Sequence, residues 1–300
     1  MLALTILGNN SAIPAFDRHP TSQVVTMDDQ LFLIDCGEGT QMQMSRYKIR
    51  RSRINHIFIS HLHGDHYFGL IGLLTSMGLL GRHQDLHLYA PAPLKAIFDM
   101  QLACADTRLP FNLIFHPIES EGVLLRTNQV EVSCFGVFHR IACWGFLFRQ
   151  IRPVRRLNPE KARQHGIPSS FFDRLKWGED YINQEGIRIP NAWVTDEAPK
   201  AKSYAYTADT AFNPIIAEKV SGVDLLYHET TYLKELEERA AKRFHSTTTQ
   251  AAQIARQAAV GKLLIGHFSS KYEKLDEFEK EAREVFPNSE LALEGVTYRI

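Results

Sequence analysis

Apolar residues come in short blocks along the first half of the chain. Positions 2–8, 22–27 and 30–35 are each strand-length and rich in aliphatic and β-branched residues. The loop 9–19, with Pro14, separates the first two blocks. After the third comes Cys36-Gly37-Glu38-Gly39-Thr40-Gln41, two glycines flanking a carboxylate, and then a helical pattern over 41–49. The sequence strand, glycine-bearing loop, helix then recurs. His56-Ile57-Phe58-Ile59 reads as a buried strand, a polar turn holds Gly64, and 67–80 reads as a helix. Further strands are predicted at 86–90, 111–118 and 143–149, with a hairpin over 123–138 turning at Thr127-Asn128.

Between about 150 and 200 the pattern changes to Arg, Pro and Asn with no long apolar run, and short helices are predicted at 159–165 and 170–177. Strands resume at 203–208, 223–227, 262–266 and 291–298, alternating with helices at 234–243, 247–260 and 276–285. Meander-like and helix-separated strands together predict an α/β (α+β) protein of sheets covered by helices. We read residues 1–300 as a single domain with an arm inserted at about 150–200.

Composition narrows the class. With 44% hydrophobic and 23% charged residues the chain is an ordinary globular protein, and no apolar run reaches membrane-spanning length. The N-terminus has no charged export leader and reads as the first strand. Cys36, Cys104, Cys134 and Cys143 are widely spaced with no Cys-x-x-Cys, which predicts free thiols in a reducing cytoplasm. Basic and acidic residues balance at 34 each, so nothing global marks a polyanionic partner. The arm departs from that balance. Positions 149–176 hold Arg149, Arg152, Arg155, Arg156, Lys161, Arg163, Arg174 and Lys176 against Glu160 and Asp173, eight cations to two anions and a net of +6.

The chemistry concentrates in Ser60-His61-Leu62-His63-Gly64-Asp65-His66. Side chains two apart on extended backbone share a face, so His61 and His63 can converge, while Asp65 and His66 open the following helix and point back towards them. Imidazole and carboxylate are ligands that suit zinc with an open position for water, and four from one turn suit a two-metal site. A lone histidine is usually structural, but His-x-His-x-Asp-His arises by chance in roughly one chain per thousand of this length. Three more polar residues end apolar runs: His139, Asp209 and His267. His228-Glu229 and His245-Ser246-Thr247 form a smaller group, in which Ser246 or Thr247 can cap a helix and a Glu–His pair can serve as a proton donor.

These motifs, in this order, resemble the metallo-β-lactamase superfamily. Within it, Asp35 to Gln41, His228-Glu229-Thr230-Thr231 and His245-Ser246-Thr247 resemble the ribonuclease Z family of tRNA 3′-processing endonucleases. The resemblance implies a four-layer αββα sandwich and two Zn2+ per subunit. His61, His63 and His139 would hold one, Asp65, His66 and His267 the other, and Asp209 would bridge. It also implies that Asp65 orients the attacking hydroxide and takes its proton, while Glu229 and His245 protonate the leaving 3′-oxygen. Precursor tRNA is the implied partner, gripped by the arm through Arg149, Arg152, Arg155, Arg156, Lys161 and Arg163, in a cytoplasmic homodimer. Two departures stand out. The arm continues Gly166-Ile167-Pro168 with Ser169-Ser170-Phe171-Phe172 instead of a Gly-Pro-rich piece. Phe16 and His19 replace the lysine and asparagine of a loop that discriminates against tRNA ending in CCA. The alternatives are a superfamily hydrolase of a small ester, thioester or cyclic phosphodiester, which would have no use for a basic arm, and an RNA-binding protein with a decayed site, which should have lost one of the seven ligands.

Overall fold

Two seven-stranded sheets carry the apolar blocks in this computed structural model, which describes residues 2–151, 154–198 and 200–300. The chain divides into two units, one of 1–126, 131–149 and 202–300, the other of 127–130 and 150–201.

In the larger unit the first sheet runs, edge to edge, Thr297–Arg299, Leu2–Gly8, Ser22–Met27, Gln30–Ile34, Ile54–Phe58, Leu86–Ala90 and Leu113–Pro117. Its last four strands are parallel. The second sheet runs Ser289–Leu291, Lys262–Gly266, Leu225–Glu229, Ser203–Tyr206, Trp144–Gln150, Val130–Gly136 and Gly122–Arg126, with its first four strands parallel. Alternation along each strand decides what lies between and outside the sheets. Phe32 and Phe58 face inward and meet Phe146 and Phe148 of the other sheet, with ring centroids 5.5 Å apart. Their neighbours Leu33 and Ile57 face outward onto Met44, Leu70, Leu74 and Phe98 of helices Thr40–Arg46, Leu70–Leu79 and Pro93–Cys104. On the far side Leu226, Leu263 and Ile265 pack against Ile216, Ile254, Ala255 and Phe278. Helix, sheet, sheet, helix is the αββα order that the motifs implied.

Three longer elements differ from the pattern-based reading, which also lacks the short helix Ile215–Lys219. The run 291–298 is two strands in different sheets: Ser289–Leu291 lies beside Lys262–Gly266, while Thr297–Arg299 pairs with Leu2–Gly8. Gly295, at φ 78°, turns the chain between them. The helix expected over 67–80 is broken into Gly64–Tyr67 and Leu70–Leu79. At the break Gly69 closes onto the 36–37 loop, where a Cβ would lie 2.2 Å from the Gly37 carbonyl oxygen. Helix Pro93–Cys104 is missing from the pattern-based reading, although Pro93 at its first turn and Leu94, Ile97 and Phe98 at helical spacing announce it. The four cysteines are free, Cys104 exposed and the others buried. No helix among the described residues is long and apolar enough to cross a membrane.

The smaller unit has its own core of Ala162, Ile167, Leu175, Ile189 and Val194. Around it lie helices Pro159–Gln164 and Phe172–Lys176 and the pairings Arg156–Leu157 with Thr195–Asp196 and Tyr181–Ile182 with Arg188–Ile189. Asn158 caps the first helix by accepting from the Lys161 N–H at 3.0 Å, with Pro159 at the first turn. Three of the arm's cations are paired here, Arg174 with Glu179, Lys176 with Asp173 and Arg188 with Asp180. Arg155 donates to Thr195 Oγ1 at 2.8 Å. Arg149 belongs to the larger unit, and Arg152 lies outside the described residues.

Candidate metal centre

Parallel strands end on one edge, and loops leaving their carboxyl ends are where α/β proteins collect functional side chains. Here Gln30–Ile34 delivers Asp35, Ile54–Phe58 delivers the 60–66 turn, Ser203–Tyr206 delivers Asp209, Leu225–Glu229 ends on Glu229, and Lys262–Gly266 delivers His267. The turns are sharp. Asp35, Ala208 and His267 have φ of 52°, 55° and 61°, the left-handed region that residues with a Cβ rarely occupy. Strain of this kind persists only where the surroundings over-determine it. Gly37 closes the turn from behind, where a Cβ would lie 2.4 Å from the Asp65 carbonyl oxygen.

All seven predicted ligands meet. His61, His63, His139 and Asp209 offer atoms within 4.8 Å of one another, as do Asp65, His66, Asp209 and His267, so Asp209 belongs to both groups. In the first group His63 Nδ1 lies 3.0 Å from His61 Nε2 and 3.1 Å from His139 Nε2, and Asp209 Oδ2 is 3.7 Å from His61 Nε2. In the second, Asp209 Oδ1 is 3.4 Å from His66 Nε2 and 3.2 Å from His267 Nε2, and Asp65 Oδ2 is 3.6 and 3.4 Å from the same nitrogens. Nitrogens ~2.05 Å from a tetrahedral zinc are ~3.3 Å apart, so both groups have the spacing of ligand shells. His66 Nε2 and Asp209 Oδ1 are buried without a hydrogen-bond partner, a costly state unless a cation sits between them. The residues fit a pair of metal ions.

Surrounding groups fix four of the five ligand rings. His66 Nδ1 donates to Asp35 Oδ2 at 2.7 Å, His139 Nδ1 to the Phe244 carbonyl at 2.9 Å, and His61 Nδ1 to Ser60 Oγ at 3.0 Å, whose own hydrogen goes to Asp35 Oδ2 at 2.9 Å. Thr231 Oγ1 donates to Glu229 Oε2 at 2.8 Å and therefore accepts from His267 Nδ1 at 2.9 Å. In the neutral ring each bond places the hydrogen on Nδ1 and turns Nε2 towards the cradle. Phe244 presents its carbonyl because helix Glu237–Arg243 ends on it at φ 59°, a place usually held by glycine.

Charge is arranged in the same way. Burial works to raise the Asp65 carboxyl, but His66 and His267 outweigh it and hold it well below the usual range. Burial works to lower His66, and Asp209, Asp65 and Asp35 instead push it well up. Beside the cradle, His245 Nδ1 donates to Glu229 Oε1 at 2.8 Å, and Glu229 overcomes burial to raise His245 to about 9. His228 points the other way, its Nδ1 donating to the Glu229 carbonyl, and takes no part. In the 9–19 loop the Ala12 N–H donates to Asp65 Oδ2 at 2.8 Å, His19 Nδ1 contacts Glu294 Oε2 at 2.9 Å, and the Phe16 ring is half exposed. Sequence reasoning gives Asp35, Ser60, Thr231 and Phe244 no part in the site. Asp35 and Thr231 stand inside the signature motifs, which is the available signal.

Relatives and solved structures match this chain over nearly its whole length. Ribonuclease Z of Bacteroides thetaiotaomicron is 42% identical over 299 residues, spanning 99% of this chain and 95% of the relative. Human tRNase Z, short form, superposes with a TM-score of 0.72 over 99% of both chains at 23% identity. The metallo-β-lactamase fold protein YhfI of Bacillus subtilis gives 0.70 over 99% of this chain and 98% of its own, at 18% identity. A family model described as Anti-Pycsar protein Apyc1 matches residues 2–117, which hold the 60–66 turn but none of His139, Asp209, Glu229, His245 or His267.

Proposed function

The chain belongs to the ribonuclease Z family, and from that premise we propose that it is an endoribonuclease that removes the 3′ trailer of precursor tRNA. The products are a tRNA ending in 3′-hydroxyl and a trailer bearing 5′-phosphate. The observation that carries this reading is the meeting of seven ligand side chains with a Glu–His acid pair at one sheet edge.

Zn2+ is the ion that the donor set favours, two per subunit; His61, His63 and His139 would hold one and Asp65, His66 and His267 the other, with Asp209 offered to both. When bound, such ions clamp phosphate oxygens and acidify water. The protein's own part is positioning and proton transfer. Asp65, kept as a carboxylate, orients the attacking water and accepts its proton. His245, kept charged by Glu229, donates a proton to the departing 3′-oxygen. Arg149, Arg152, Arg155, Arg156, Lys161 and Arg163 contact tRNA phosphates. We place the enzyme in the cytoplasm as a homodimer.

Incubation with a 3′-extended precursor tRNA, with and without an encoded CCA, and mapping of the cut tests this directly. A single cut that leaves a tRNA 3′-hydroxyl and a 5′-phosphorylated trailer is expected. Hydrolysis of small phosphodiesters without any cut in precursor tRNA would overturn it.

A further inference from the structure

The cavity above the cradle, about 560 Å³, is asymmetric in charge. Segments 139–140 and 242–245 are joined by the His139 to Phe244 hydrogen bond and form one wall, which carries Arg140, Lys242 and Arg243. Segments 11–12, 37–38 and 64–68 are joined through Asp65 and form the other, which carries Glu38 and the exposed Phe68 ring. Lysine and arginine lie on the first of these walls and not on the second.

Lys242 and Arg243 have an alternative explanation, since they occupy the last turn of helix Glu237–Arg243, where the dipole favours positive charge. Lys242 makes only a loose contact with Glu238, at 3.9 Å between two exposed side chains. Arg140 has no helix to account for it. It is exposed, and its Nη2 donates to His63 Nε2 at 3.0 Å. His63 is the one ring in the cradle turned with Nδ1 inward. A neutral imidazole that ligates through Nδ1 carries its hydrogen on Nε2, so the guanidinium would then face another donor. With the first group of ligands filled, the Arg140 guanidinium would be freed from His63 and left to the cavity it already lines.

His245 sets the direction. It stands on the cationic wall, and in the proposed reaction it protonates the 3′-oxygen of the nucleotide that stays on the tRNA. We propose that Arg140, with Lys242 and Arg243, holds backbone phosphates on the 5′ side of the cut, so that this wall is a positioning site for the acceptor end and not for the trailer. This rests on the ribonuclease Z reading.

The test compares Arg140→Ala, Arg140→Lys and the double variant Lys242→Ala/Arg243→Ala with the zinc-loaded wild type. Affinity for mature tRNA should fall about tenfold in the alanine variants, with the salt slope smaller by ~0.7–0.9 for each phosphate left without its cation, and Arg140→Lys should keep part of it. Affinity for a 5′-phosphorylated trailer oligonucleotide should not change. On precursor tRNA, KM should rise more than kcat falls. A neutral methylphosphonate at the first phosphate 5′ of the cut should erase the difference between wild type and Arg140→Ala, and one 3′ of the cut should preserve it. The opposite methylphosphonate pattern, weaker binding of the trailer, unchanged tRNA affinity, or absence of bound zinc in Arg140→Ala would each overturn the proposal. Failure of the wild type to cleave any precursor would instead sink the reading beneath it, and is distinguishable because mature-tRNA binding is measured apart from turnover.

Discussion

Replacing Asp35 by Asn should weaken one metal position far more than the other. The carboxylate is fully buried and takes four hydrogen bonds: Oδ1 from the Ser60 N–H at 2.8 Å, and Oδ2 from Ser60 Oγ, His66 Nδ1 and Tyr206 Oη at 2.9, 2.7 and 2.6 Å. An amide can keep one side of this set, and whichever way it turns a donor meets a donor. With its nitrogen towards Ser60 N–H, a buried backbone donor is orphaned at a cost of ~1–3 kcal/mol. With its nitrogen towards His66, the ring loses the bond that keeps Nε2 bare. In either orientation the negative charge behind His66 disappears, and removal of such a partner typically lowers metal affinity ~10–100-fold, or ~1.4–2.7 kcal/mol. His66 belongs to the group with Asp65, Asp209 and His267, whereas His61 is reached only through Ser60, which can still accept from it. Zinc titration against a chromophoric chelator should therefore show one ion held as in wild type and one released ~10–100-fold more easily, with a melting temperature a few degrees lower. Equal weakening at both positions, or no weakening at either, would refute the assignment of Asp35 as the group that orients His66.

Asp65→Ala should abolish precursor cleavage while leaving tRNA affinity within a few-fold of wild type; surviving activity would show that another group orients the water. Glu229→Gln tests the acid pair through pH. A raised pKa keeps His245 charged below about 9 and loses the proton as pH rises past it, so removing the Glu229 charge should pull the alkaline limb of the kcat profile to lower pH. An unmoved limb would mean that His245 is not the proton donor. Reversing charge at Arg155 and Arg156 should weaken tRNA binding and flatten its salt dependence by up to ~2 in slope, read by anisotropy across a potassium series. Unchanged affinity would remove the arm from recognition.

What can be read from the chain follows from how local each signal is. His61, His63, Asp65 and His66 announce themselves because one turn contains them, and His139, Asp209 and His267 because each ends an apolar run. Asp35 does not, since its partner is made only by parallel pairing: Ile34 lies opposite Phe58, which sets Asp35 beside Ser60. Thr231 becomes the shared partner of Glu229, His245 and His267 only when three separate loops arrive together. Arg140 looks like any surface arginine until His63 is seen to present Nε2 to it. The broken helix at Gly69 and the split run at Gly295 are hidden for a related reason. Each interruption answers to a neighbour distant in sequence, the 36–37 loop in one case and Tyr47 in the other.

The cradle opposes its own assembly, and that explains why so much structure stands behind it. Imidazole nitrogens crowd to 3.0–3.1 Å, Asp209 is stripped of water, and three strand ends hold residues in the left-handed region. Left-handed backbone costs on the order of 1–2 kcal/mol per residue. Without metal the buried carboxylates push His66 well up and raise His245 to about 9, towards their charged forms. An arriving cation must displace the His66 proton, so affinity should rise with pH while His66 is still charged. A ligand that binds only the folded chain also stabilises it. The free energy that draws the ions in therefore offsets the repulsion and strain that keep their places open, and the Asp35, Ser60, Thr231 and Phe244 hydrogen bonds hold those places until the ions come.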